Sequence, residues 1–132
     1  MSGWTTEELE VIGKAEELHL APQREDGTAG KFVTIWVVRV DNDLYVRSWR
    51  GQQSRWYRQA QAHLAGRIRA GKIEKDVLFV EEDDPAINAQ VDQAYRQKYR
   101  RYLSYAEAMA SLPARTTTLK LIPRETDTAG NA

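Results

Sequence analysis

The sequence predicts an α+β domain whose antiparallel strands curl into a small barrel. Two observations carry that expectation. Residues 31–40 with 44–49, and 66–69 with 72–80, are apolar, β-branched segments joined by short polar or glycine turns, as hairpins are. Helical periodicities then interrupt the hairpins, which a simple β-sandwich would not show. A length of 132 residues suits one domain. We expect it to span residues 1–123, with the small, polar residues 124–132 as a flexible tail.

The elements follow in order. Thr5 and Glu8 stand at the capping-box spacing, so a short helix starts there, with Leu9 and Ile12 on its apolar side. Leu18 to Ala21 reads as extended and Pro22 ends it. The segment 31–40 is the strongest strand, with apolar residues on both parities, as a strand buried on both faces or set in a barrel has. Residues 41–43 form a tight connection to the returning strand 44–49. A helix over 55–64 places Trp56, Ala60 and Leu64 on one face. Asp84 followed by Pro85 starts a long helix, whose stripe Ile87, Val91, Ala94 or Tyr95, Tyr99 and Tyr102 covers about five turns. A last strand covers 116–122.

Composition removes several chemistries. There is no Cys, hence no disulfide, thiolate nucleophile or Cys-ligated metal. His19 and His63 lack metal-ligand spacing. Ser48 and Ser54 have no G-x-S-x-G context, so a metal-free hydrolase has no constellation to support it. The acidic run 81–84 reads as a solvated loop that caps a helix rather than a cation site. The longest strongly apolar run, 35–38, is far short of the roughly 20 residues of a membrane span, and no secretory pattern opens the chain, so a cytoplasmic protein is expected.

Lys and Arg balance Asp and Glu at 19 each. A chain without basic excess is not expected to bind nucleic acid. The charges are nonetheless segregated: residues 1–30 carry −5, residues 47–75 carry +7 and residues 76–95 carry −6. The segment 45–58 interleaves Arg47, Arg50, Arg55 and Arg58 with Trp49, Trp56 and Tyr57 around Gly51 and Ser54. A helix start preceded by Gly and Ser seats an anion, arginine adds planar donors, and indoles offer faces to stack on. The alternative also stands: these arginines can pair with the two acidic segments and need no ligand.

Several stretches carry a family resemblance. They are 31–40, 43–48, Trp56-Tyr57-Arg58, 66–71, Asp84-Pro85, Ala94-Tyr95-Arg96, Lys98-Tyr99 and 117–121. On them the chain resembles an uncharacterised bacterial family of short proteins within the flavin-binding split-barrel superfamily. More loosely, it is similar to deazaflavin-dependent nitroreductases and pyridoxamine-phosphate-oxidase-like proteins. The resemblance implies a split β-barrel of antiparallel strands with flanking helices, a homodimer, and FMN or a deazaflavin coenzyme at the subunit interface. Carried over by position, it implies that Lys31 and Thr34 approach the cofactor and that Arg47, Ser48, Trp49, Arg50 and Gly51 form the phosphate-side loop. Trp56 and Tyr57 match the helix start, and Trp36 is a further candidate for contact with the ring. Two departures stand out: Phe32 follows Lys31 where related sequences often have Pro, and the loop lacks the double glycine of the nitroreductase-like relatives. A small anionic or aromatic ligand is therefore expected, serving either a flavin- or deazaflavin-dependent oxidoreductase or a non-enzymatic binding module for another anion, a nucleotide or a protein partner.

Overall fold

The computed structural model describes residues 3–124; the expected tail beyond Arg124 lies outside them. The seven strands among the described residues are β1 (Leu18–Pro22), β2 (Val33–Ile35), β3 (Val37–Val40), β4 (Asp43–Val46), β5 (Ala65–Ala70), β6 (Ile73–Glu81) and β7 (Leu119–Pro123). They form one sheet in the order β2-β1-β5-β6-β7-β4-β3, with every neighbouring pair antiparallel.

The two outermost strands of that order are consecutive in the chain. Only Trp36 separates Ile35 from Val37. The predicted single strand 31–40 is therefore two strands: β2 pairs with β1, Leu18 opposite Ile35, and β3 pairs with β4, Val37 opposite Val46. Changing partners at Trp36 bends the sheet until its edges almost meet, which gives a nearly closed barrel.

Inside lie Leu18, Leu20, Val37, Leu44, Val46, Ile68, Val77, Phe79, Leu119 and Leu121. Helix α1 (Thr6–Lys14) adds Leu9 and Ile12 to that core, and its start is fixed by the reciprocal Thr5–Glu8 capping box. Helix α2 (Arg55–His63) adds Tyr57 and Ala60. Leu64, expected on the same face, instead ends α2 in the left-handed conformation and is exposed. Gly66 is required where it stands: a Cβ there would lie 2.5 Å from the Ala21 carbonyl oxygen and 2.9 Å from the Phe79 ring.

Helix α3 (Pro85–Lys98), capped by Asp84, covers the outer face of β3 and β4. Val91, Tyr95 and Tyr99 pack there on Val38 and Tyr45. Burial of both faces of β3 explains the apolar residues on both parities of 37–40. The expected five-turn helix stops at Lys98. Tyr99 leaves helical geometry, stacks on Trp36 with ring centroids 3.7 Å apart, and donates its hydroxyl to the Glu16 carbonyl. A 3-10 turn (Arg100–Tyr102), α4 (Leu103–Met109) and α5 (Leu112–Arg115) follow, and the last strand starts only at Leu119.

One guanidinium ties these layers together. Arg47, one residue beyond β4, is completely buried. Its Nε donates to Thr118 Oγ1 at 2.9 Å. Its Nη1 donates to Asp92 Oδ1 at 2.5 Å and to the Met109 carbonyl at 2.8 Å. Its Nη2 donates to the side-chain and backbone oxygens of Asn88 at 2.9 and 3.2 Å. All five N–H donors of the fork thus have acceptors on α3, α4 and the approach to β7. The second oxygen of Asp92 accepts from Arg115.

A half-buried ammonium braces the bend at Trp36. Lys98 Nζ donates to the carbonyls of Val37 at 2.6 Å and Ala15 at 2.7 Å. Burial pulls its pKa down from 10.5 to about 8, against a smaller upward pull from Glu16.

Two predictions follow from these contacts. Arg47→Met leaves Asp92, Asn88 and the Met109 carbonyl short of donors, and urea unfolding should show a loss of about 3–5 kcal/mol; a loss under 1 kcal/mol would contradict the tying role. For Lys98, the unfolded chain holds more protons than the folded one between pH about 8 and 10.5. Stability should therefore rise with pH across that window relative to Lys98→Met, as a pH series of denaturant melts would read.

Candidate functional site

The bend at Trp36 leaves a hollow of about 360 Å³ on the barrel's flank, within the size range of ligand pockets. Strand β2 supplies Val33, Thr34 and Ile35 to its wall, and Trp36 stands at the corner. Residues 47–50 leave β4 along a second side. Ser54 and Trp56 from the start of α2, with Tyr105 and Met109 from α4, complete the wall.

Three indoles dominate this surface, each held differently. Trp36 is pinned flat against Tyr99, their planes 3° apart. Trp56 is wedged between the cavity and the barrel core, edge-on to Tyr57. Trp49 keeps 54% of its surface in water and meets Tyr105 edge-on, with 5.9 Å between ring centroids.

The polar groups also differ in how occupied they are. Thr34 Oγ1 lies 3.1 Å from His19 Nδ1. Ser48 is 1% exposed and its Oγ has no hydrogen-bond partner, an unmet donor and acceptor on the cavity wall. Ser54 is the N-cap of α2 but makes no side-chain cap bond, so no hydroxyl occupies the first amides of that helix. Arg50 is exposed and has no ion pair or hydrogen bond among the described residues. An indole-lined hollow with a free guanidinium, an orphan hydroxyl and an uncapped helix start can take a planar ring that carries an anionic group.

Seven of the ten residues singled out from the sequence meet at this cavity: Thr34, Trp36, Arg47, Ser48, Trp49, Arg50 and Trp56. Arg47 touches the wall, but its five donors are engaged by protein acceptors, so its guanidinium has none left for a phosphate. Lys31 is exposed and lies outside the wall. Gly51 is buried at φ +73°, with Pro113 against it, and turns the loop without lining the cavity. Tyr57 points into the barrel core, where burial pushes its phenol pKa upward. Val33, Ile35, Tyr105 and Met109 also line the wall, though no chemical signal in the sequence marks them, and Ser54 joins them from a helix start. Tyr105 reaches the wall because the chain leaves helical geometry at Tyr99, a break that periodicity does not reveal.

The nearly closed antiparallel barrel with its flanking helices is an α+β split barrel. Solved structures of the same shape bear this out. HutZ, the heme storage protein from Vibrio cholerae, is 16% identical, with a TM-score of 0.61 over 87% of this chain and 86% of that one. A FAD-binding protein from Mesorhizobium loti is 15% identical, with a TM-score of 0.58 over 92% and 91%. A conserved hypothetical protein from Mycobacterium tuberculosis is 10% identical, with a TM-score of 0.64 over 92% and 81%. At these identities the likeness is one of fold. Residues 8–121 match the family described as "Uncharacterized protein conserved in bacteria (DUF2255)", and the chain belongs to it. No curated protein matches the chain. No helix among the described residues is long and apolar enough to cross a membrane.

The indoles should separate on substitution. Trp49→Ala should change stability by less than about 0.5 kcal/mol, because that ring already faces water. Trp36→Ala, which strips Tyr99 of its stacking partner, should cost several times more in thermal unfolding. Equal losses would mean that Trp49 is a packing residue.

Proposed function

We propose that this chain binds a planar aromatic coenzyme with an anionic arm, FMN or a deazaflavin coenzyme, in the cavity at Trp36 and serves a reductase-type reaction. The supporting observation is the pairing, in one hollow, of indole faces with Arg50, the orphan Ser48 hydroxyl and the uncapped start of α2. Arg50 and the α2 amides hold the anionic arm, and Ser48 Oγ supplies a hydrogen bond. Trp49 and Trp56 flank the ring, while Trp36, fixed by Tyr99, sets the cavity's depth. A bound coenzyme of this class supplies the hydride or electron chemistry that the side chains lack. The residues orient it and keep water from its faces.

The named ligands of the structural neighbours, FAD in one and heme in another, support a cofactor in this fold. Between them the wall favours a flavin. Heme iron takes an axial His, Cys, Met or Tyr, and here the described wall offers only Tyr105 and Met109. The guanidinium and helix start suit a phosphate instead. Exposed Trp49, Leu103, Tyr105 and Leu112 lie on or beside the segments that form the wall, and a second copy of the chain that covered them would close the site as a homodimer. A cytoplasmic setting goes with this reading.

The test is the visible spectrum of freshly purified protein, then titration with FMN and the deazaflavin coenzyme read by tryptophan quenching. Saturation at micromolar ligand, about −8 kcal/mol, supports the proposal. A colourless protein that ignores both ligands favours the non-enzymatic binding module. Arg50→Ala should weaken FMN about tenfold and leave riboflavin, which has no phosphate, nearly unchanged; equal losses would remove Arg50 from the anion seat.

A further inference from the structure

A second, smaller hollow of about 140 Å³ is lined by Lys14, Glu16, Lys98, Tyr99, Arg101 and Tyr102. It takes no part in the function proposed above. Its residue types are those of amine–carbonyl chemistry, which needs a free amine, an acid–base pair beside it and a holder for the substrate's charge.

Each part is present. The Lys98 amine is held by the carbonyls of Ala15 and Val37, and no carboxylate pairs with it within salt-bridge distance among the described residues. An amine that keeps both bonds through its two N–H groups has its lone pair directed away from both carbonyls. Burial pushes Lys98 toward the free amine, with a pKa of about 8. Glu16 Oε2 accepts a hydrogen bond from the Tyr102 hydroxyl at 3.0 Å, and both residues face the hollow. Arg101 has no ion pair or hydrogen bond among the described residues, and Lys14 is paired only with Glu10.

We infer that Lys98 is a reactive amine that captures a small aldehyde or ketone bearing a carboxylate, such as a 2-oxo acid, as an imine. The nitrogen lone pair attacks the carbonyl carbon and the C–N bond forms. The Glu16–Tyr102 pair relays one amine proton to the oxygen, and a second proton, taken from solvent through the same pair, lets that oxygen leave as water, so that one amine, one carbonyl and one proton become one protonated imine and one water. The protonated imine retains one N–H for the nearer carbonyl, that of Val37. Arg101 and Lys14 hold the carboxylate. The volume admits a ligand of only a few carbons.

The test uses the intact protein with glyoxylate and cyanoborohydride at pH 8, which fixes each imine as a secondary amine that peptide mass spectrometry locates. About half of Lys98 is free amine at that pH, against roughly one part in 300 for an ordinary lysine. Because nucleophilicity falls with basicity, the expected outcome is labelling of Lys98 about tenfold faster than the exposed Lys72. Lys98→Arg should lose the label while remaining folded. Glu16→Gln should slow imine capture severalfold yet leave acylation of Lys98 by a neutral activated ester unchanged, an effect that a merely structural Glu16 would not produce. Arg101→Gln should remove the preference for glyoxylate over uncharged propanal. Labelling of Lys98 no faster than Lys72, or labelling indifferent to both Glu16→Gln and Arg101→Gln, would overturn the proposal.

Discussion

The buried guanidinium of Arg47 is the constraint on which the rest of the molecule depends. A charge without water is costly unless its donors are met, and here five acceptors from three separate segments meet them. Those acceptors fix where α3 and α4 sit on the barrel. They also fix the candidate cavity, because the next residues, Ser48, Trp49 and Arg50, form one wall, while Tyr105 and Met109 of α4 form another. Ser48 is held in turn through its amide, which donates to Thr117 Oγ1 at 2.8 Å. An arginine that looks from sequence like a ligand for phosphate instead acts as a rivet for the frame around the ligand.

Much of the frame was legible because it rests on local chemistry. Thr5 with Glu8, and Asp84 with Pro85, mark helix starts through side-chain bonds three residues long at most. The turn at Gly71 likewise defines the β5–β6 hairpin. What escaped the sequence was long-range. Nothing in the run Phe32 to Val40 distinguishes Trp36 from its neighbours as a strand residue; the chain breaks there because the two halves take partners on either side of the barrel's seam. The end of α3 at Tyr99 has the same origin, since its stripe of apolar residues continues without a gap in the sequence.

The site shows the same division. Alternation correctly places Tyr45 and Arg47 on one face of the strand. It cannot say that α3 covers that face, which turns Arg47 inward, while Arg50 is left outside. Charge segregation was likewise only half informative. Lys72 with Glu7, Lys75 with Glu8, and Arg67 with Glu74 and Asp76 neutralise much of the basic segment within the fold. These pairs are at least partly exposed and add little stability individually. They leave Arg50 and Arg55, on either side of the start of α2, without partners among the described residues.

The single-residue joint at Trp36 also governs how the barrel can deform. In an open sheet the two outer strands drift apart freely, and a groove beside one of them can breathe without disturbing the other. Here a displacement of β2 pulls directly on β3 through one peptide unit on each side of an indole. The hinge is clamped by the Tyr99 ring and the Lys98 ammonium. The cavity beside it is therefore braced along the strand direction by that clamp and on the side of α4 by the Met109 carbonyl, which accepts from Arg47.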